Sequence, residues 1–416
     1  MEFSRNSKRR AMEDNIFNLP GDVLNCILDH LPVRDAARTS ILSRKWRYIW
    51  ANHPNLVLEP KSMFGDLANS TSDDFIDTVN GILLQHIGPI LTFEVKLSYV
   101  DMTHYPYVDR WILYLSRNGL RKLTLDNSSH GLYALPSYVF LCQELTHLRL
   151  SNCIFKRPCG ATGSFHSLKK LSLNQVAFSP EVSASIFTAS KLQHLSLTKC
   201  TGIGHLNLMA VYNHFSSWYL RRIMGITRAH LLLAMRVESF DPNERINLTS
   251  LFEHWSQISK ITLDGHHLKC LAADSVTSAL PVKVNNLRDL LLFGINFTDL
   301  DHISCILCLL HSSPRLNNLE IRVKVSAVTA DKSPALQYLQ EHICINEHIN
   351  SLQTLRIKYF QGSSAQMLFV KLILACCPSL ERITFVDSKV NPWNIPDILK
   401  KLLLFPRVST KAHIVF

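Results

Sequence analysis

One six-residue phrase recurs along this chain. It reads "LRKLTL" from residue 120, "LTHLRL" from 145, "LKKLSL" from 168 and "LQHLSL" from 192. It returns as "ISKITL" from 258, "LRDLLL" from 287, "LNNLEI" from 316, "LQTLRI" from 352 and "LERITF" from 380. The first four starts are 25, 23 and 24 residues apart, and the later intervals are 66, 29, 29, 36 and 28. Side chains alternate along a strand, so the paired leucines of each phrase point one way and the residues between them the other. A lone unit cannot bury its apolar side, and the units must stack on one another.

Phrase and period together are the leucine-rich-repeat signature. They imply an α/β solenoid in which each short strand is backed by a helix or an irregular arm. Backing helices are expected at 109–119, with Gly119 as the C-cap, and at 299–313. The 66-residue interval should hide at least one degenerate repeat. Within it, 209–235 lacks both the phrase and any acidic residue. That span reads as a helical insertion or, the reading favoured here, as a fault in the gene model.

Composition narrows the function classes. Apolar residues are 47% and charged residues 19%, as in an ordered soluble chain. The longest apolar runs, such as "CILCLL" at 305–310, are too short for a membrane span, and the polar N-terminus has no secretory h-region. Eleven cysteines then read as buried thiols, and the Asn-x-Ser/Thr triplets at Asn127, Asn247 and Asn296 as chance. The +11 net charge is spread along the chain, which points away from nucleic acid as a partner. Lys8-Arg9-Arg10 reads first as a solvated tail and second as an import signal, leaving residence cytoplasmic and/or nuclear.

No catalytic motif or phosphate loop is present, so neither an enzyme nor a cofactor is expected. His302, Cys305, Cys308 and His311 invite a zinc reading. Steps of three on one helix put the two histidines on opposite faces, with Ile303, Ile306, Leu307 and Leu310 as the buried side. Cys376 and Cys377 likewise read as core thiols.

Residues 19–50, "LPGDVLNCILDHLPVRDAARTSILSRKWRYIW", are a separate puzzle. Val23, Leu24, Ile27, Leu28 and Leu31 form a helical stripe that Pro32 ends; Val33–Ser40 reads as a second helix, and Ser43 can cap a third through Trp50. Such a trio is too small to stabilise itself, and its apolar stripe needs another wall.

The stretch resembles an F-box of the plant type, carried most specifically by Ser-Arg-Lys-Trp. The resemblance implies docking onto a Skp-type adaptor and, through it, a cullin. The adaptor-facing residues would be Leu19, Pro20, Val23, Leu24, Ile27 and Leu31, then Pro32, Val33, Ala37, Ile41, Leu42 and Trp46. Gly21-Asp22 departs from the usual acidic pair and would weaken the first helix slightly, glycine costing up to about 1 kcal/mol in a helix interior. Residues 346–416 resemble the FBD domain of plant F-box proteins, on "INSLQTLRIKYFQGSSAQMLFVKLILACCPSLERITF", and would cap the solenoid.

The expected plan is a disordered basic tail (1–14), an F-box (15–55), a repeat solenoid (56–345, irregular at 209–235) and an FBD domain (346–416). Recognition of an unknown target is expected on the concave sheet face. The candidates are His147, Arg149, Lys170, Ser172, His194 and Ser196, continuing with Leu291, Phe293, Glu320 and Arg356. The first half of that face is polar and mostly basic, and Leu291 and Phe293 break the pattern as exposed apolar anchors. The resulting expectation is a non-catalytic substrate receptor of a Skp–cullin–F-box ubiquitin ligase, the alternative being a repeat scaffold without ligase function.

Overall fold

The computed structural model describes residues 19–65, 71–97, 100–127, 131–156, 165–178, 191–200, 227–233, 252, 255–272, 280, 283–324, 333–343, 349–390 and 394–416. The basic tail and most of the 209–235 span lie outside them. The chain forms two compact units, Met1–Ser185 and Ile186–Phe416.

The first unit opens with α1 (Gly21–Asp29), α2 (Val33–Arg38), a 3-10 turn at Thr39–Ile41, and α3 (Arg44–Ala51). Gly21 is the first residue of α1, so it does not carry the interior penalty expected of it. Ser43 caps α3, its hydroxyl accepting from the Trp46 N–H at 3.2 Å. Then follow β1 (Asn55–Leu58), α4 (Pro60–Phe64), α5 (Ser72–Gln85), β2 (Thr92–Lys96), α6 (Tyr105–Ser116) and β3 (Lys122–Asp126). Helix α6 ends three residues before Gly119, whose φ of +70° serves the turn into β3. The Trp111 indole donates to Asn80 Oδ1 at 2.8 Å and ties α6 to α5.

β4 (Tyr133–Ala134), β5 (His147–Ser151), β6 (Cys153–Phe155), β7 (Lys170–Asn174) and β8 (Ala177–Phe178) complete the unit. The sheet β1-β2-β3-β5-β7 is parallel throughout, and β4-β6-β8 make a second small parallel sheet. Phe93, Leu123, Leu148 and Leu171 share one ladder row and are buried. Each such side chain contributes roughly 1.5–3 kcal/mol by leaving water. Asn127 is fully buried, and its amide donates to the carbonyls of Gly131 and Asn152, so it offers nothing to a glycosylation enzyme.

The second unit is built on β9 (His194–Cys200), β10 (Arg228–Leu233), β11 (Lys260–Asp264), β12 (Asp289–Ile295), β13 (Asn318–Val323), β14 (Thr354–Lys358), β15 (Arg382–Val386) and β16 (His413–Val415). All neighbours pair in parallel. Helices α7 (Gly265–Ala272), α8 (Leu300–Ser312), α9 (Pro334–Ile343), α10 (Ser364–Cys376) and α11 (Ile395–Leu404) lie between the strands in sequence. Helix α8 is buried nearly all round, because α7 and α9 pack on either side of it. His302 is therefore interior, where only one apolar flank of this helix was expected to be.

Every one of the nine phrases is a strand, each starting two residues into the phrase. The 66-residue interval does hold a hidden repeat. β10 pairs Ala229 with Leu195 on one side and Ile261 on the other, so "ITRAHL" from 226 is the phrase with Ile and Ala in place of leucines. This corrects the reading of 209–235 as lacking a repeat strand. β2 is the same kind of variant, "ILTFEV" from 90, with Ile90, Phe93 and Val95 buried. In β1 the phrase is "HPNLVL", and His53 stands where the first leucine belongs.

A second periodicity accompanies the strands. Asn152, Gln175, Lys199, Gly294, Tyr359 and Asp387 all have φ between 48° and 65°. Each follows its strand's first residue by five: 147 to 152, 170 to 175, 194 to 199, 289 to 294, 354 to 359 and 382 to 387. One left-handed residue ends the strand at four of these steps and, at Lys199 and Gly294, interrupts it one residue before its end.

Candidate functional site

Two regions were expected to bind partners, the helical trio and the open face of the sheets. In the trio, Leu24, Leu28, Ala36 and Trp46 form a small core, with Leu19, Leu31, Ile49 and Trp50 packed against it. Lys45 Nζ donates to the Leu19 carbonyl at 3.1 Å and ties the entry to α3. Asn55 Nδ2 donates to Asp29 Oδ1 at 2.9 Å, linking α1 to β1.

This divides the expected adaptor-facing residues. Leu24, Val33 and Trp46 are buried within the chain and are corrected here from surface to core residues. The helical period explains the split: Leu24 and Leu28 repeat on the inner row of α1, while Pro20, Val23 and Ile27 repeat on the outer one. Val23 is 43% exposed, Ile27 37%, Ile41 80% and Leu42 58%. Pro32 is also exposed, and Leu19, Leu31 and Ala37 are half-buried. The trio thus closes one side by itself and leaves a second apolar set facing solvent.

On the open face of the first unit, His147 is laddered with Lys170 and Arg149 with Ser172. Arg149 and Lys170 are exposed, while His147 and Ser172 are half-buried. In the second unit Leu291, Glu320 and Arg356 form one ladder row. His194 and Ser196 lie on β9, separated from β12 by β10 and β11.

Leu291 and Phe293 do point out of the sheet, but both are half-buried, not fully open as expected. The Arg322 guanidinium lies 4.2 Å from the centre of the Phe293 ring. Glu320 is the hub beneath them: its carboxylate is 3.0 Å from Arg322 Nε, 3.5 Å from Lys358 Nζ and 3.7 Å from Arg356 Nη1. Three cations around one carboxylate leave this patch net positive. On β11 the alternation fails at Asp264, which is buried because it caps α7, accepting from the N–H groups of His266 and His267 and pairing with the His267 ring at 2.8 Å. The outward residues are readable strand by strand in the sequence, but the Arg322–Phe293–Glu320 cluster is not, since residues on β12 and β13 meet only once the register is fixed.

His302, Cys305, Cys308 and His311 do not converge, and no cluster of metal-ligating residues occurs among the described residues. Burial pushes the Cys305 thiol up to about 12, and Cys142 and Cys153 to the same value, so these are protonated packing groups. Among the described residues no helix is long and apolar enough to cross a membrane.

Comparison with known proteins agrees with this layout. The F-box domain model matches residues 16–58, and the At1g61320/AtMIF1 LRR domain model matches 82–296. The Arabidopsis thaliana F-box/FBD/LRR-repeat protein At1g13570 is 30% identical, covering 97% of this chain and 98% of its own. Another Arabidopsis F-box/FBD/LRR-repeat protein, At5g56420, is 24% identical over 98% of this chain and 99% of its own. Among solved structures, the LRR protein LIC12759 of Leptospira interrogans covers 77% of this chain and 88% of its own at 13% identity, with a TM-score of 0.26. The F-box match falls on the helical trio, the repeat match falls on the parallel strands, and likeness to At1g13570 runs through nearly the whole of both chains, so this chain belongs to the plant F-box/FBD/LRR-repeat proteins.

Proposed function

We propose that this chain is the substrate-recognition subunit of a Skp–cullin–F-box ubiquitin ligase. The helical trio docks on a Skp-type adaptor and through it a cullin, and the repeat region holds a target protein. The chain performs no bond chemistry itself. Its contribution is placement, since tethering a target beside the conjugating machinery raises the effective concentration of its lysines.

The observation that carries this reading is the division within α1 and its neighbours. Val23, Ile27, Ile41 and Leu42 stay in solvent although the same trio has completed a core of its own around Leu24 and Trp46. Exposed apolar side chains gathered in one small unit mark a surface meant for a partner. The adaptor face is therefore assigned to Pro20, Val23, Ile27, Pro32, Ile41 and Leu42, with Leu19, Leu31 and Ala37 at its margin. Residues 15–55 and 346–416 are proposed as the F-box and FBD boundaries, and residence as cytoplasmic and/or nuclear.

Co-purification of the full chain with a Skp adaptor tests the reading. Wild-type protein should capture the adaptor, and the double variant Val23→Asp/Leu42→Asp, with an unchanged circular dichroism spectrum, should not. Folded wild-type protein that fails to capture the adaptor would overturn it.

A further inference from the structure

Side chains alternate along β12, β13, β14 and β15, and those on the open face of the second unit are sorted by chemistry from strand to strand. β12 presents Leu291 and Phe293, both half-buried. The next three strands present the cations Arg322, Arg356, Lys358 and Arg382 against one carboxylate, that of Glu320. Register sets like charges side by side, since Arg322 and Lys358 are ladder partners, and it places Arg356 beside Glu320.

One carboxylate does not satisfy these cations. Arg322 Nε donates to Glu320 at 3.0 Å. Lys358 Nζ at 3.5 Å and Arg356 Nη1 at 3.7 Å lie beyond the usual N–H···O range of about 2.7–3.2 Å. Glu320 thus gathers the two by charge and leaves their donors unspent. Arg382 is exposed and forms no ion pair among the described residues. Asp289, at the start of β12, is engaged by the Asn318 amide at 2.7 Å. Neighbouring cations repel one another, and a face that keeps them together suits an anionic partner.

Phe293 joins the apolar half of this face to the charged half. The Arg322 guanidinium lies 4.2 Å from the centre of its ring, which fixes a cation at the border of the apolar pair. A guanidinium held by both an aromatic ring and a carboxylate is preorganised, so less side-chain freedom is lost when it meets an anion. Arg356 and Lys358 stand two strands from the apolar pair, and Arg382 three. At a strand spacing of about 4.8 Å these separations are about 10 and 14 Å. An extended polypeptide, rising about 3.3 Å per residue, crosses them in about three and four residues.

We propose that this face binds an acidic segment of the target polypeptide. A large apolar side chain of the segment rests on Leu291 and Phe293, and carboxylates about three to four residues away meet Arg356, Lys358 and Arg382. Aromatic and arginine side chains are the ones that most often carry the energy of such contacts. A bare polyanion would use the cations and leave Leu291 uncovered. The proposal names the chemistry of the target, and so rests on the reading of the repeat region as the part that holds it.

The test uses the full chain and short fluorescein-labelled Gly/Ser peptides, read by anisotropy. Each carries one Phe, with Glu residues two to four positions after it in one peptide and before it in the other. One of the two orders should bind saturably, at least tenfold more weakly to Arg356→Glu/Arg382→Glu and equally to Lys401→Glu, a surface control on α11. Replacing the peptide's Glu residues by Lys should abolish binding to wild type and restore it to the charge-reversed variant, which also shows that the variant is folded. Replacing the peptide's Phe by Ser should weaken binding at least threefold. No saturable binding of either order, or binding that Arg356→Glu/Arg382→Glu leaves intact, overturns the site. A peptide without Phe that binds equally overturns the apolar half, and an oligouridylate that binds more tightly than the peptides overturns the polypeptide assignment. No readout involves the adaptor, so this proposal and the ligase reading fail separately.

Discussion

His53 Nε2 lies 3.3 Å from Asp29 Oδ1, where the helical trio meets the first repeat strand. His53 occupies the position that leucine holds in the regular phrase and is 2% exposed. Burial lowers its pKa from the ordinary value of 6.5, outweighing the upward pull of Asp29. His86 is lowered too, by burial first and by the nearby His53 second. Both rings are thus held neutral in the folded chain, while the unfolded chain takes up protons more readily. Stability is fully present above the unfolded value near 6.5 and falls as pH drops below it, by at most about 1.4 kcal/mol per pH unit per group. Urea midpoints compared between pH 7.5 and 5.5 should decline, and His53→Leu, which restores the regular phrase, should decline less. An identical slope in the variant would remove His53 as the cause.

Val23 and Leu24 are chain neighbours with opposite environments, one 43% exposed and the other fully buried. Leu24→Ala should cost about 2–5 kcal/mol by opening a cavity against Leu28 and Trp46. Val23→Asp should move stability by less than about 0.5 kcal/mol, as surface changes do. Adaptor capture should show the reverse sensitivity: lost in Val23→Asp, and in Leu24→Ala reduced only in proportion to the unfolded fraction. Thermal melts run beside the pull-down read both quantities on one preparation.

The left-handed residue that recurs in six of the strand units carries a separable backbone cost. Gln175 has φ 52° and is exposed, so Gln175→Gly should stabilise by about 1 kcal/mol through relief of that strain. Gly294 has φ +65° and open space around any added Cβ. Gly294→Ala therefore meets no clash, and the destabilisation of about 1–2 kcal/mol expected from denaturant melts is backbone strain. A neutral Gly294→Ala would mean that the backbone there relaxes out of the left-handed region.

Much of this architecture was legible in the chain because leucine at three fixed positions is a strong signal. The nine recognised phrases all became strands, and the Ser43 cap and the α8 span were readable from local chemistry. What escaped were repeats in which another residue does leucine's work: Ile90, Phe93 and Val95 in β2, Ala229 in β10 and His53 before β1. The adaptor face was half-read for a related reason. Apolar periodicity identifies a stripe but not which edge of it the protein keeps, and Leu24, Val33 and Trp46 belong to the edge that their own chain covers.

One experiment separates the two proposed binding regions. Arg149 and Lys170 are exposed on adjacent strands of the first unit, and Arg356 and Lys358 stand on β14 beside the Glu320 hub in the second. If the open faces hold an acidic segment of the target, charge reversal there should remove target and spare the adaptor. Arg149→Glu/Lys170→Glu and Arg356→Glu/Lys358→Glu are the variants to compare with wild type and with Val23→Asp, by affinity purification under proteasome inhibition. Wild type should recover adaptor and target together, Val23→Asp target alone, and each charge-reversed pair adaptor alone. Raising the salt concentration should weaken target recovery, since exposed charges are screened within about 10 Å at 0.1 M salt, and should leave the apolar adaptor contact in place. Target recovery that survives both charge reversals would move recognition off the open face, and joint loss of adaptor and target in Val23→Asp would show that the adaptor is needed for the target to bind.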